Sequence, residues 1–388
     1  MIKKRLTRAI SLIMSLLLAI SGCIVVISAE EGETYPDLRL DCRSAVLMEA
    51  QTGQILYAKN ENEALPPASV TKVMTLLLIM EAIEEKKIAL TDMVTASEHA
   101  CSMGGSQIYL EPGEQMSVED LLKSVVIASA NDAAVTLAEY VAGTEDAFVQ
   151  MMNARAAELG MQNSHFENTN GLDDTTENHV TSALDIAIMS RELIKHPKIT
   201  EYSSIWMDTV RNGEFGLTNT NRLVRFYKGA TGLKTGSTSK AGFCITATAK
   251  RDGMTLIAVI MASPSRDSRN NSAVSLLNYG FSNLAVYKNT QSVTDTVSVL
   301  KGVQNSCKVQ EQEFAAVIDK KYAGKIEKTV DICESVTAPV RVGTEVGKVT
   351  YSLNGKTVGS TRILTCENVD TIGFFDIFER ILARMTLR

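Results

Sequence analysis

The chain has 388 residues, 39 Lys and Arg against 45 Asp and Glu, and is 45% hydrophobic and 22% charged. That is too long for one ordinary domain and too apolar for disorder over most of its length. A net charge of -6, with no basic stripe along any expected element, leaves phosphate-driven binding nothing to work with, so no nucleic-acid partner is expected.

Lys3, Lys4, Arg5 and Arg8 precede an uncharged apolar run from Ala9 to Ala29, so residues 1–29 read as a secretory signal peptide. Three fates stay open for it. Ala29, after Ile27 and Ser28, is small enough for a signal peptidase; Cys23 ends a lipoprotein-like Ile20-Ser21-Gly22-Cys23 box, although Ile24 to Ile27 prolong the apolar run; and a run of this length can also stay uncut and span a bilayer. All three place the body outside the cytoplasm. Past the signal stand Cys42, Cys101, Cys244, Cys307, Cys333 and Cys366, with no paired spacing and no C-x-x-C. Neither a disulfide framework nor a zinc site is expected, and the thiols read as small apolar residues of cores.

Ser44 to Tyr57 reads as two short strands around a Thr52-Gly53 turn. Pro66-Pro67 then marks the start of a buried helix rich in Leu, Met and Ile that runs to about Ile83, with Ser69 in its first turn. Ser117 and Asp120 form an S-x-x-D cap for a helix carrying Leu121, Leu122, Val125 and Val126, and a further helix starts near Asn131 and stops at Gly143. Ser129-Ala130-Asn131 is therefore a joint between helices. Phe243 to Lys250 and Thr255 to Ala262 flank Arg251-Asp252-Gly253-Met254 as a hairpin, with Lys234-Thr235-Gly236 leading into its sheet. The second strand of that hairpin is apolar on both faces, so helices are expected on both sides of the sheet.

Past Phe281 the composition shifts to Thr, Val, Ser and Lys, and Lys348 to Tyr351 pairs with Thr357 to Ile363 across Asn354-Gly355. A small all-β domain of about 80 residues is expected there. At the end, a step of about 100° per residue from Ile372 gathers Phe374, Phe375, Ile377, Phe378, Ile381, Leu382 and Met385 into one arc, with Asp376, Glu379, Arg380 and Arg384 opposite. Such a helix docks on its own protein or lies in a membrane interface, and three Phe with interleaved Arg fit the membrane better.

No G-x-S-x-G, H-E-x-x-H or G-x-x-x-x-G-K-S/T occurs, and His99, His165, His179 and His196 have no metal-pair spacing. Metal hydrolysis and nucleotide chemistry lack support, and no metal or cofactor is expected. What remains is Ser69-Val70-Thr71-Lys72. Ser and Lys three apart in a helix share a face, and desolvation can lower the lysine pKa until the neutral amine takes the hydroxyl proton. The S-x-x-K motif alone is cheap, because it recurs at Ser237 to Lys240 and Ser298 to Lys301. A buried Lys72 that merely neutralises a core acid, or a Ser129 that only caps a helix, would be the simpler account of either alone. Order and setting reverse that: Ser69-x-x-Lys72 at a helix start, Ser129-Ala130-Asn131 in a joint, Lys234-Thr235-Gly236 at a strand.

Together the three resemble the penicillin-binding proteins and serine β-lactamases, whose signature is S-x-x-K, S-x-N and K-T-G in that order. The resemblance implies Ser69 as nucleophile, Lys72 as base, and Ser129 as a proton carrier between Lys72 and the leaving amine. Asn131 would hold a substrate amide, Lys234 would supply a fixed positive charge for a terminal carboxylate, and Thr235 a hydroxyl beside it. Gly236 would let substrate lie close along the strand edge, and the backbone N–H groups of Ser69 and Ser237 would form the oxyanion hole. Arg269 is similar to an arginine that helps bind the carboxylate; the plainer alternative is a surface arginine.

Class A β-lactamases need a glutamate in an E-x-x-L-N run, which is missing here. Phe166-Glu167-Asn168-Thr169-Asn170-Gly171-Leu172 instead resembles the F-x-N-x-x-G-L stretch of low-molecular-mass serine D-alanyl-D-alanine carboxypeptidases. Ser237 departs from relatives with histidine after K-T-G. The implied architecture is an α/β (α+β) catalytic domain at 30–285 with an antiparallel sheet flanked by helices, a β-rich domain at 286–365, and an amphipathic anchoring helix at 366–388. The implied reaction removes the terminal D-Ala from peptidoglycan stem pentapeptides through an ester on Ser69, with β-lactams acylating the same serine. It would occur on the outer face of the cell membrane. A crosslink-cutting endopeptidase, a β-lactamase and a non-catalytic penicillin-binding scaffold are the rival readings, and a role in vegetative wall maturation or in sporulation stays open.

Overall fold

The computed structural model describes residues 35–289 and 294–386. The expected signal at 1–29, with Cys23, lies outside the described residues. Leu38–Arg388 forms one compact unit, which carries the fold.

Ser44–Glu49 (β1) is buried at every position and pairs antiparallel with Ile55–Lys59 (β2). The sheet is completed by Ala230–Thr238 (β3), Gly242–Arg251 (β4) and Met254–Ser263 (β5), in the order β2-β1-β5-β4-β3, antiparallel throughout. The expected β4–β5 hairpin is present. Asp252 and Gly253 both have positive φ, 50° and 78°, the primed turn that matches strand twist. Alternation sends Val46, Met48, Ile257 and Val259 to one face, where Ala183–Leu193 (α2) packs, with Lys72–Glu84 (α1) against α2. On the other face Leu47 and Leu256 lie under Gly280 of Arg266–Asn283 (α3). The sheet is covered on both sides, as its doubly apolar β5 requires.

The buried helix does not start as a regular α-helix. Ala68–Thr71 forms a tight 3-10 turn, and α1 follows with ten of its 13 residues buried, Lys72 among them. Ser117 Oγ accepts the Asp120 N–H, as the cap pattern predicts. The capped helix Val118–Lys123 widens into a π turn at Ser124–Ala128 and ends at Ser129 with φ 65°; Asn131–Ala142 begins two residues later and stops at Gly143. The π turn is a local irregularity that apolar periodicity does not reveal.

Leu284–Lys288 (β6) leaves α3 directly and pairs with Ala315–Asp319. A six-stranded sheet then encloses a second core of Val297, Val309, Val349, Tyr351 and Ile363. Its Glu345–Leu353 (β7) and Lys356–Thr365 (β8) pair around Asn354-Gly355 as expected, Lys348 opposite Arg362 and Tyr351 opposite Gly359, with the register shifting by one between Tyr351 and Ser352. This part is all-β.

Phe374–Thr386 is a helix. Its apolar arc does not dock on the protein: Phe374 is 76% exposed, Phe375 80% and Met385 72%. Arg380, from the opposite arc, donates to the carbonyl oxygens of Val303 and Gly302 in the β-rich part. Among the described residues no helix is long and apolar enough to cross a membrane. The six described cysteines are unpaired; Cys244 and Cys307 are core residues, but Cys333 and Cys366 are exposed, which corrects the expectation that all fill cores.

Candidate active site

The 3-10 turn decides how Ser69 meets Lys72. Side chains three apart eclipse in such a turn, which puts Lys72 Nζ 3.0 Å from Ser69 Oγ. The same nitrogen donates to Asn131 Oδ1 at 2.5 Å and to the Asn170 carbonyl at 2.7 Å. Lys72 is fully buried, and no carboxylate bonds to it among the described residues. Burial drives its pKa well below the usual lysine range, Lys234 pushes it further, and Asp132 opposes both.

Ser129 is held in left-handed backbone at the helix joint, where its Oγ accepts from Lys234 Nζ at 2.9 Å. The sequence places Ser129 between Lys72 and the leaving amine as a proton carrier; in the structure its hydroxyl bonds to Lys234. Lys234 also donates to Thr235 O at 2.9 Å and is buried. Burial, followed by the nearby Arg269 charge, lowers its pKa to about 7, so its charge is not the fixed one expected from sequence. Asn131 is committed internally as well, its Oδ1 to Lys72 and its Nδ2 to Gly104 O at 2.6 Å. Thr235 Oγ1 donates to Thr220 Oγ1.

Gly236 packs against the nucleophile turn. A Cβ there would sit 2.8 Å from Pro67 O, 2.8 Å from Ser69 N and 2.9 Å from Val70 N. Its missing side chain therefore lets β3 press against the turn that carries Ser69, and Gly236 also lines the cavity. Arg269 is no surface arginine: it is 3% exposed, and burial lowers its pKa to about 10. A cavity of about 550 Å³ gathers Ser69, Ser129, Thr235, Gly236, Ser237 and Arg269, and Trp206, Arg222 and Phe226 also line it. Lys72, Lys234 and Asn131 stand just behind it.

Two contributors escape sequence reasoning. The Asn170 carbonyl holds Lys72, and Gly171 fits so tightly that a Cβ would fall 1.9 Å from Ala68 O. The Asn-Gly pair was visible, but only as a subfamily marker. Asp132, wholly buried, accepts the backbone N–H groups of Ile108, Leu110 and Ala133, tying the start of its helix to the 106–110 loop. Nothing in the sequence distinguished it from any first-turn acid. Among the described residues no cluster of His, Cys, Asp or Glu could hold a metal.

Comparison with known proteins extends the likeness over most of the chain. Residues 30–265 match the family described as D-alanyl-D-alanine carboxypeptidase, and residues 281–371 match the penicillin-binding protein 5 C-terminal domain. D-alanyl-D-alanine carboxypeptidase DacF of Bacillus subtilis (strain 168) is 40% identical over 92% of this chain and 93% of its own length. DacC of Escherichia coli (strain K12) is 33% identical over 90% and 88%. The crystal structure of penicillin-binding protein 5 from Haemophilus influenzae superposes with a TM-score of 0.77 at 32% identity, covering 87% of this chain and all of that one. Penicillin-binding protein D2 from Listeria monocytogenes, in its ampicillin-bound form, gives 0.58 at 30% identity, over 63% of this chain and 100% of that one.

Proposed function

The chain belongs to the D-alanyl-D-alanine carboxypeptidase family, and from that premise we propose how its residues divide the work. It is a serine-type carboxypeptidase of peptidoglycan that binds penicillins. The observation that carries the residue assignment is the environment of Lys72. A neutral amine has two N–H donors and one lone pair. Asn131 Oδ1 and Asn170 O take the donors, so the lone pair is left for the Ser69 hydroxyl.

Ser69 Oγ attacks the carbonyl of the penultimate D-Ala while Lys72 takes its proton. The C–N bond breaks, and the leaving D-Ala amine receives a proton from Ser129, which draws one from Lys234. Water then attacks the ester; Ser129 and Lys234 recover a proton from it, and Lys72 returns its own to Ser69. The N–H groups of Ser69 and Ser237 receive the developing oxyanion, a role supported by the packing of Gly236 against Ser69 N. Arg269 and protonated Lys234 attract the terminal carboxylate, with Thr235 beside them.

The terminal helix is assigned to the membrane surface, and the body to its outer face after export through residues 1–29. Outward-facing Phe374, Phe375 and Met385, with Arg380 fixed to the β-rich part, support that reading. Co-sedimentation with anionic vesicles, lost in Phe375→Asp/Phe378→Asp, tests it.

D-Ala release from diacetyl-L-Lys-D-Ala-D-Ala by the purified protein and by Ser69→Ala tests the chemistry. Release by the first and none by the second is expected. Release or penicillin labelling by Ser69→Ala would remove Ser69 as nucleophile, and cleavage of crosslinked dimers without monomer turnover would make the enzyme an endopeptidase.

A further inference from the structure

Ala68, which opens the nucleophile turn, has φ 49°, a left-handed conformation that a residue with a Cβ adopts only when its surroundings impose it. The imposing contacts form a chain that the proposed mechanism does not use. Ala68 O accepts the Thr71 hydroxyl at 2.8 Å, and Thr71 Oγ1 lies 2.7 Å from His179 Nε2. His179 Nδ1 accepts the Glu167 N–H at 3.0 Å.

That last bond fixes the direction of the others. A ring nitrogen that accepts from a backbone N–H carries no proton, so the neutral imidazole is protonated on Nε2 and donates to Thr71. Thr71 is then left with its own proton for Ala68 O. Thr71 is fully buried and His179 is 5% exposed, its ring edge-on to Phe166 at 5.8 Å. Burial lowers the His179 pKa to about 4, against the opposing pull of Glu167 and Asp173, which keeps the ring in the form the chain requires. Neither residue lines the cavity.

We propose that His179 is a positioning residue for acyl transfer: acting through Thr71, it holds the Ala68 carbonyl and so aims the Ser69 hydroxyl and the Ser69 N–H into the cavity. This rests on Ser69 being the nucleophile. A misplaced nucleophile slows the bond-forming step more than it weakens binding, and a displacement of about 1 Å can cost about 10²-fold.

The test separates binding from acylation by stopped-flow labelling of the full chain with a tagged penicillin. Thr71→Val and His179→Phe should each lower the acylation rate constant at least tenfold, with the dissociation constant of the non-covalent complex changed less than threefold. The double variant should be no slower than the slower single, because both break one chain. Thr71→Ser and His179→Gln, which keep a hydroxyl and a donor, should recover most of the rate. An unchanged acylation constant in Thr71→Val, or losses that multiply in the double variant, would overturn the proposal. So would a His179→Gln as slow as His179→Phe. Thr71→Ser against Thr71→Val still decides if the histidine variants do not fold. Wild type that is acylated at Ser69 yet releases no D-Ala would refute the carboxypeptidase reading and leave this one standing.

Discussion

Two sets of buried charged groups in the molecule are treated in opposite ways. In the β-rich part, Glu311 has no exposed side-chain surface; it accepts from Lys328 Nζ at 2.6 Å and from the Tyr351 hydroxyl, whose ring stacks on Phe314 at 4.1 Å. In the catalytic part, Lys72 and Lys234 are just as buried but bond only to hydroxyl and carbonyl oxygens. A buried charge with a partner is compensated and holds its neighbours in place. A buried lysine without one gives up its proton readily. The β-rich part thus supplies a counter-charge beside its buried acid, whereas no carboxylate bonds to Lys72 or Lys234 among the described residues, and burial lowers the pKa of both.

The sharpest way to break this contrast is to give Lys72 the partner it lacks. Asn131→Asp puts a carboxylate where Oδ1 now lies, 2.5 Å from the amine, and should raise the lysine pKa until the ammonium dominates at pH 7. Acylation by penicillin should fall about 10³-fold and then climb about tenfold per pH unit on the alkaline side. The reverse change belongs to the β-rich part. Lys328→Met removes the cation beside buried Glu311 and should lower unfolding stability in urea by about 3 kcal/mol, with D-Ala release per folded molecule unchanged.

Gly236→Ala leaves every charge in place and disturbs only the turn. With three backbone atoms within 2.9 Å of the new methyl, acylation should drop about 10²-fold while the far-UV spectrum stays native. The smallest effect is a pH limb. In the proposed mechanism protonated Lys234 attracts the carboxylate, and with a pKa of about 7 that charge is present below pH 7 and lost above it. KM for the tripeptide should be flat in acid and rise about tenfold per pH unit above neutrality, and Lys234→Arg should abolish the rise.

Much of this was legible in sequence because it depends on local signals. The two Asn-Gly and Asp-Gly hairpins, the S-x-x-D cap, the doubly apolar β5 and the terminal apolar arc each follow from turn chemistry or periodicity within a dozen residues. The three motifs named the site for the same reason. What sequence could not supply were pairings across long separations. Ser129 meets Lys234, not Lys72, because the π turn and the left-handed Ser129 aim its hydroxyl at β3. Gly236 faces Pro67–Val70, and the Asn170 carbonyl reaches Lys72, through packing between segments some hundred residues or more apart. A backbone carbonyl carries no residue-type signature at all, so that contact was invisible until the fold placed it.

The claim on which the account turns is that Lys72 is a neutral amine in the resting protein at pH 7. Nitrogen-detected NMR of the lysine-labelled chain, with Lys72 and Lys234 assigned through Lys72→Met and Lys234→Arg, reads it directly. The account predicts a Lys72 signal already at the amine position at pH 7, and a Lys234 signal that titrates near 7. A Lys72 signal that stays at the ammonium position to pH 9 would contradict it and return the search for the base to Ser129 and Lys234.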